Sequence, residues 1–258
     1  MDRIKNRFNL EGKVAIVTGS SKGIGEAIAR GLAEFGAKVI VSSRKQEAVD
    51  EVAAAFRADG LEAHAIACHV GDEDQLKALV EGTVGKYGGV DIVVNNAATN
   101  PFFGPLTKVD GPTFEKIMNT NVKSCHLLGN MVHPIMKSRG GGSIINISSV
   151  GGLKAPDMIA IYGVSKAALI MLTQVQAKEW GPDGIRVNAI CPGLIKTKFS
   201  AALWQNEQML KAVERNFPSR RIGEADEIAG MAVFLASDAS SYSTGGAFTA
   251  DGGLLLAG

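Results

Sequence analysis

The sequence predicts an α/β fold, a single doubly wound parallel sheet of about seven strands with helices on both faces. Three observations predict it. Apolar, β-branched runs alternate with helical stretches from one end of the chain to the other. The runs are almost continuously hydrophobic, as suits strands covered on both faces. A glycine-rich segment follows the first run directly and opens the first helix.

The strands in order are KVAIVT (13–18), KVIVSS (38–43), EAHAIA (62–67), VDIVVN (90–95), GSIINIS (142–148) and GIRVNAIC (184–191), with a short last strand near GAFTA (246–250). Helical patterns lie between them at 24–35, 46–59, 72–87, 111–138, 161–181 and 224–237. Such alternation implies right-handed βαβ units wound into one sheet. The Gly140–Gly142 run is expected to stop a helix. No repeat or low-complexity linker divides the 258 residues, so residues 1–258 are expected to form one domain.

Composition excludes several classes of function. The net charge is +1, which gives no overall basic field for nucleic acid or anionic membrane. No apolar run approaches the ~18 residues of a spanning helix. The polar start MDRIKNRFNLEGK lacks the apolar stretch of a secretion signal. Cys68, Cys125 and Cys191 lie far apart with no CxxC pair, which argues against a disulfide framework and fits a reducing compartment. Their plainest reading is three small buried hydrophobes. A cytoplasmic location is the expectation. His64, His69, His126 and His133 show no ligand spacing, so no metal site is expected.

Thr18-Gly19-Ser20-Ser21-Lys22-Gly23-Ile24-Gly25 lies between the first strand and the first helix. Glycines there permit a tight turn and let backbone N–H groups approach a pyrophosphate, and the helix N-terminus adds favourable potential. An acidic residue ending the second strand would select NAD through the ribose hydroxyls. This chain has Ser42-Ser43-Arg44-Lys45 instead. Arg44 suits a 2′-phosphate, and Lys22 adds a second cation, so NADP(H) is the expected cofactor. The plainer alternative is two solvated surface cations.

Tyr162 and Lys166 are four apart in a helical pattern and so share one face. A phenol ionises near ~10, and a neighbouring ammonium favours the phenolate, which makes Tyr162 a candidate acid or base. Ser149 sits just past the fifth strand, at the rim where open sheets place ligands, and its hydroxyl suits a substrate oxygen.

The chain resembles the short-chain dehydrogenases/reductases of the single-domain type. The residues that carry this run its whole length: TGSSKGIG (18–25), NNAA (95–98), Asn121 in NTNV, Ser149, YGVSK (162–166), PGLIKT (192–197) and TGGAFTADGG (244–253). The resemblance implies a Rossmann fold of strand order 3-2-1-4-5-6-7 and hydride transfer at the nicotinamide. It implies that Tyr162 donates the proton, that Lys166 binds the nicotinamide ribose and lowers the tyrosine, and that Ser149 positions the carbonyl. Asn121 would hold a water linking Lys166 to solvent.

The cofactor positions it implies are Gly19, Ser21, Lys22, Gly23, Ile24 and Gly25, then Ser43 and Arg44, His69 and Val70, Asn96 and Ala97, Tyr162 and Lys166. Pro192, Gly193, Ile195 and Thr197 complete them, the last two meeting the carboxamide. SSRKQ (42–46), CHVG (68–71), NPFFG (100–104) and PGLIKT are similar to the NADP-dependent retinal and carbonyl reductase subgroup. That subgroup carries a peroxisomal C-terminal tripeptide, whereas this chain ends Leu-Leu-Ala-Gly, so that address is not expected. Two departures stand out. His69 replaces a frequent Asp facing the adenine amino group, and Ala98 replaces a glycine in the NNAG motif.

Phe102 and Phe103 either wall the substrate or cap the core. Residues 199–217, with Phe199, Leu203, Trp204, Met209 and Leu210, resemble the family's substrate lid. Apolar residues circle the helix beyond Tyr162, from Ala167 to Leu172, so a second face needs a partner. A homo-oligomer is expected, and the resemblance implies a homotetramer. The expected activity is NADPH-dependent reduction of a ketone or aldehyde. The alternatives are an NAD(P)-linked alcohol, sugar or 3-oxoacyl dehydrogenase and a non-catalytic NADPH-binding protein.

Overall fold

The computed structural model describes residues 4–205, 210–211, 214–215 and 217–256. Seven strands form one sheet: β1 (Val14–Thr18), β2 (Lys38–Ser42), β3 (Ala63–Ala65), β4 (Ile92–Asn95), β5 (Gly142–Ile147), β6 (Ile185–Pro192) and β7 (Ala247–Ala250). Every pairing is parallel and the order is 3-2-1-4-5-6-7, as expected. The order reverses between β1 and β4, which opens a crevice at the carboxyl ends of the strands.

The helices are α1 (Gly23–Glu34), α2 (Gln46–Ala58), α3 (Glu73–Tyr87), α4 (Gly111–Met118), α5 (Ser124–Ser138), α6 (Ala160–Trp180), the single turn α7 (Ala201–Trp204) and α8 (Asp226–Ala236). Asp72 caps α3 by accepting from the Gln75 amide, and Asp110 caps α4 by accepting from Thr113. Along each strand successive side chains enter opposite layers. Ala15 and Val17 join Ile28 and Leu32 of α1 and Val233 of α8 on one face. Ile16, between them in sequence, joins Leu76 and Leu79 of α3 and Leu128 and Val132 of α5 on the other. Burial on both faces is why the strands are nearly continuously apolar.

Two expectations need correction. The helix expected over 111–138 is interrupted by a π-helical turn, Asn119–Lys123, between α4 and α5. The strand expected over 62–67 pairs only through Ala63–Ala65, because it is the sheet edge and has one neighbour. Among the described residues no helix is long and apolar enough to cross a membrane. Cys68, Cys125 and Cys191 are all buried with free thiols.

Candidate active site

The glycine loop is held from both sides. Gly19 (φ +66°) and Gly23 (φ +63°) adopt the left-handed backbone that glycine takes without strain. At Gly25 a Cβ would stand 2.3 Å from Asn96 Nδ2 and 2.5 Å from the Gly19 carbonyl oxygen, so no side chain fits. Asn96 Nδ2 donates to the carbonyls of Thr18 (2.9 Å) and Gly19 (3.0 Å). Thr18 Oγ1 in turn accepts from the amides of Asn96 and Ala97, both at 3.1 Å. Buried Ser20 ties the loop to β2, since Ser42 N donates to Ser20 Oγ at 2.9 Å and Ser20 N to the Ser42 carbonyl at 3.0 Å.

The cradle fits the phosphates of a dinucleotide. No side chain caps α1, so its first amides are free for an anion. At the end of β2 the buried Ser42 hydroxyl has no partner. Lys22 and Arg44 are exposed beside this loop and strand end, and Ser43 is half-buried.

The reacting side chains come from β5 and α6, which are stitched together. Asn95 Nδ2 donates to Asn146 Oδ1 (2.8 Å), Asn146 Nδ2 to Thr173 Oγ1 (2.9 Å), and Ser148 Oγ to the Lys166 carbonyl (2.8 Å). Lys166 is 2% exposed, and its Nζ donates to the Ile147 carbonyl at 2.7 Å. The ammonium lies 5.5 Å from the centroid of the half-buried Tyr162 ring. The Ser149 hydroxyl lies near enough to the Tyr162 phenol to favour its ionised form, and it accepts from the Gly151 amide at 3.0 Å. That loop lies close to α6, since a Cβ at Gly163 would sit 2.7 Å from Pro156. Ser149, Tyr162 and Lys166 are thus brought together.

Burial sets the ionisation of both groups. It brings the Lys166 ammonium down to about 8, with the Cys125 and Cys191 thiols opposing it. It pushes the Tyr162 phenol up to about 12. For the Tyr162 phenol desolvation is the largest effect and outweighs the opposing Ser149 hydroxyl.

The other expected positions divide. Asn121 is buried in the π turn, and its carboxamide is fully engaged. Oδ1 accepts from Thr99 N (2.8 Å), and Nδ2 donates to the Thr99 carbonyl and to Ser165 Oγ, both at 3.0 Å. Its carbonyl accepts from Cys125 Sγ at 3.5 Å. The Asn121 side chain is therefore a brace for the loop after β4 and for α6. Ile195 turns its side chain into the core, and Thr197 Cγ2 stands 3.2 Å from where a Gly23 Cβ would be. Pro192 ends β6, and Gly193 N donates to the Ala250 carbonyl at 3.0 Å. Val70 is buried, and exposed His69 accepts the Gly71 amide on Nδ1 at 3.1 Å.

The expected lid lies only partly within the described residues; Met209 falls outside them. Phe199 packs on Tyr162 with ring centroids 5.9 Å apart. The Trp204 indole N–H donates to the Thr197 carbonyl at 3.1 Å, which makes it a tether. Phe103 is exposed, and Gly104 N donates to the Met158 carbonyl at 2.8 Å, joining the two loops at the mouth. Ser165 and Thr18 escaped notice in the sequence, although both lie inside the quoted motifs. Among the described residues no group of three His, Cys, Asp or Glu is placed to hold a metal.

A phosphate cradle at the topological switch point, beside a Ser–Tyr–Lys cluster at the end of β5, defines a nucleotide-dependent oxidoreductase. A family model described as enoyl-(acyl carrier protein) reductase matches residues 19–255, and the chain belongs to that family within the short-chain dehydrogenases/reductases. It is 44% identical over 250 residues to dehydrogenase/reductase SDR family member 4 of Sus scrofa, covering 97% of this chain and 90% of that one. Its fold matches gluconate 5-dehydrogenase from Burkholderia cenocepacia, solved with NADP and tartrate, at TM-score 0.95 and 34% identity over 99% and 100% of the two chains. A 7α-hydroxysteroid dehydrogenase, solved with NADH and 7-oxo glycochenodeoxycholic acid, matches at TM-score 0.93 and 34% identity over 98% of each chain.

Proposed function

We propose that this protein is an NADPH-dependent reductase of ketones or aldehydes. The observation that carries the reading is the buried Lys166 beside the Tyr162 ring, with Ser149 next to them at the end of β5, at the rim by the phosphate cradle. The backbone of residues 19–25 would hold the pyrophosphate. Arg44 and Lys22 would hold a 2′-phosphate through charge-assisted hydrogen bonds, and no carboxylate in 42–45 favours a free ribose hydroxyl. Pro192 to Thr197 would line the nicotinamide end. When bound, the reduced cofactor supplies a hydride to the carbonyl carbon.

The chain's own residues handle the oxygen and the proton. Ser149 donates a hydrogen bond to the carbonyl oxygen where negative charge develops. Tyr162, a neutral phenol at ordinary pH, passes its proton to that oxygen and completes the alcohol. Lys166 holds positive charge beside the phenolate that remains, fixed in place by the Ile147 carbonyl. Asn121 and Ser165 hold the helix turn on which Tyr162 sits.

Assembly as a homotetramer in the cytoplasm completes the proposal. Val164, Met171 and Val175 leave an apolar stripe exposed along α6, and the three free buried thiols suit a reducing setting. Replacing Tyr162 by Phe tests the chemistry. Carbonyl reduction is expected to fall by about three orders of magnitude or more, in line with the loss of a general acid, while NADPH binding stays nearly unchanged. Retained reduction would remove Tyr162 as proton donor.

A further inference from the structure

The reacting groups lie at the carboxyl ends of the strands, and a second cavity opens at their amino ends. It measures about 160 Å³ and is walled by Lys13, Asp91, Arg139, the glycine run 140–142, Arg186 and Asp238. That volume is below the ~300 Å³ at which clefts begin to take drug-sized ligands, so the cavity suits a small ion and not a nucleotide. The glycine run itself has nothing to offer a ligand. Gly140 N donates to the Lys137 carbonyl (3.1 Å), Gly141 N to Met136 (2.9 Å) and Gly142 N to Gly184 (3.3 Å), so these amides are spent in ending α5 and meeting β6.

The charge in the cavity therefore comes from side chains, and it does not cancel. Asp91 is buried with both oxygens taken. Oδ1 accepts from Arg139 Nε (2.9 Å), and Oδ2 from Arg139 Nη2 (3.0 Å) and Val14 N (2.8 Å), so Asp91 and Arg139 neutralise each other. Arg186 has no such counter-ion. Its half-buried guanidinium donates from Nη1 to the Leu235 carbonyl (2.8 Å) and Ser240 hydroxyl (2.7 Å), and from Nη2 to the Ser237 carbonyl (3.2 Å). These are neutral oxygens at the C-terminal end of α8, which carries only about half a negative charge. Among the described residues no carboxylate pairs with Arg186, and burial works against its charge with only Asp238 opposing. Exposed Lys13 has no carboxylate partner among the described residues either. Lys13 and Arg186 against Asp238 leave the wall net positive, and a desolvated guanidinium calls for an anion.

We propose that this cavity is a binding site for a small oxyanion of the inorganic phosphate class, held by Arg186 and Lys13 at the end of the sheet away from the reacting groups. Charge-assisted hydrogen bonds from a guanidinium and an ammonium suit such an ion. The ion would join the entry to β1, the start of β6 and the end of α8. An anion that binds only the folded chain adds to its stability. The site is independent of the NADPH reading.

The test is thermal unfolding of the full chain, with sodium chloride exchanged for sodium phosphate at constant pH and ionic strength. For a dissociation constant of about 5 mM, about 50 mM phosphate is expected to raise the melting temperature by about 3–6 °C. Phosphate also stabilises proteins by exclusion from their surface, and it can reach the glycine loop of residues 19–25. Three variants separate these effects. Lys13→Glu is expected to lose more than half of the rise. Lys22→Glu, at the glycine loop, is expected to keep it, and Asp238→Asn, which removes the opposing carboxylate, to enlarge it. No rise in the unaltered chain overturns the proposal. So does a rise that Lys13→Glu retains in full, or one lost in Lys22→Glu alone. If Lys13→Glu does not fold, Asp238→Asn decides, and an unchanged or smaller rise in it overturns the site.

Discussion

The Asn121 carboxamide donates to the Ser165 hydroxyl at 3.0 Å, and that hydroxyl donates to the Tyr162 carbonyl at 2.7 Å. The π turn is thereby linked to the backbone that carries the proton donor. Ser165→Ala leaves one buried Asn121 N–H without a partner, which costs about 1–3 kcal/mol. In a chain of this size that corresponds to a fall in melting temperature of about 2–4 °C for each kcal/mol. The expected kinetic result is a lower kcat with cofactor affinity little changed. An unaltered melting curve and kcat would show that the link positions nothing.

The ionisation of the buried pair sets a pH dependence with a definite sign. Tyr162 donates a proton, and its phenol stays protonated up to about 12. Its own titration therefore does not limit reduction near neutrality. Lys166 loses its proton at about 8, and with it the positive charge beside the developing phenolate. The kcat/KM for carbonyl reduction is expected to be flat below that value and to fall as pH rises through it. Reduction that accelerates over the same range would contradict the assigned roles.

The helix α6 leaves Met171 59% exposed, in line with Val164 and Val175. A single apolar side chain at the surface is ordinary, but a stripe on the helix that carries the reacting residues asks for a partner. Met171→Asp would place an unpaired charge in that interface. Light scattering is expected to give about four times the monomer mass for the unaltered chain, the tetramer that the family resemblance implies, and a smaller mass for the variant. A monomer mass for the unaltered chain would refute the assembly.

Much of the fold was legible in the sequence because each strand is buried on both faces. Ile16 and Val17 both had to be apolar, one for each layer, and no polar alternation blurs the pattern. Ser149, Tyr162 and Lys166 were legible because a strand end and one helix turn bring them together without help from distant loops. The π turn was not. The run from Gly111 to Ser138 keeps helical composition throughout, and the extra residue at 119–123 reflects tertiary pairing of Asn121 with Thr99 and Ser165. The same holds for Phe199 against Tyr162 and for the Trp204 tether, which join segments whose spacing in sequence says nothing of their contact. The rise of the Tyr162 phenol was not legible, because burial is a property of the folded pocket and not of a four-residue spacing.

The most direct test of the central claim is the rate of NADPH and of NADH oxidation, with a panel of aromatic ketones, α-diketones, aldehydes and 3-oxoacyl esters. NADPH-linked reduction of at least one carbonyl class is expected, with kcat/KM about tenfold or more above that for NADH, since charge-assisted bonds to a 2′-phosphate are worth about 1.5–3 kcal/mol. Arg44→Asp should reverse that preference. Equal or better use of NADH would mean that Lys22 and Arg44 are solvated surface cations, and no oxidation of either nucleotide with any carbonyl would contradict the reductase reading outright.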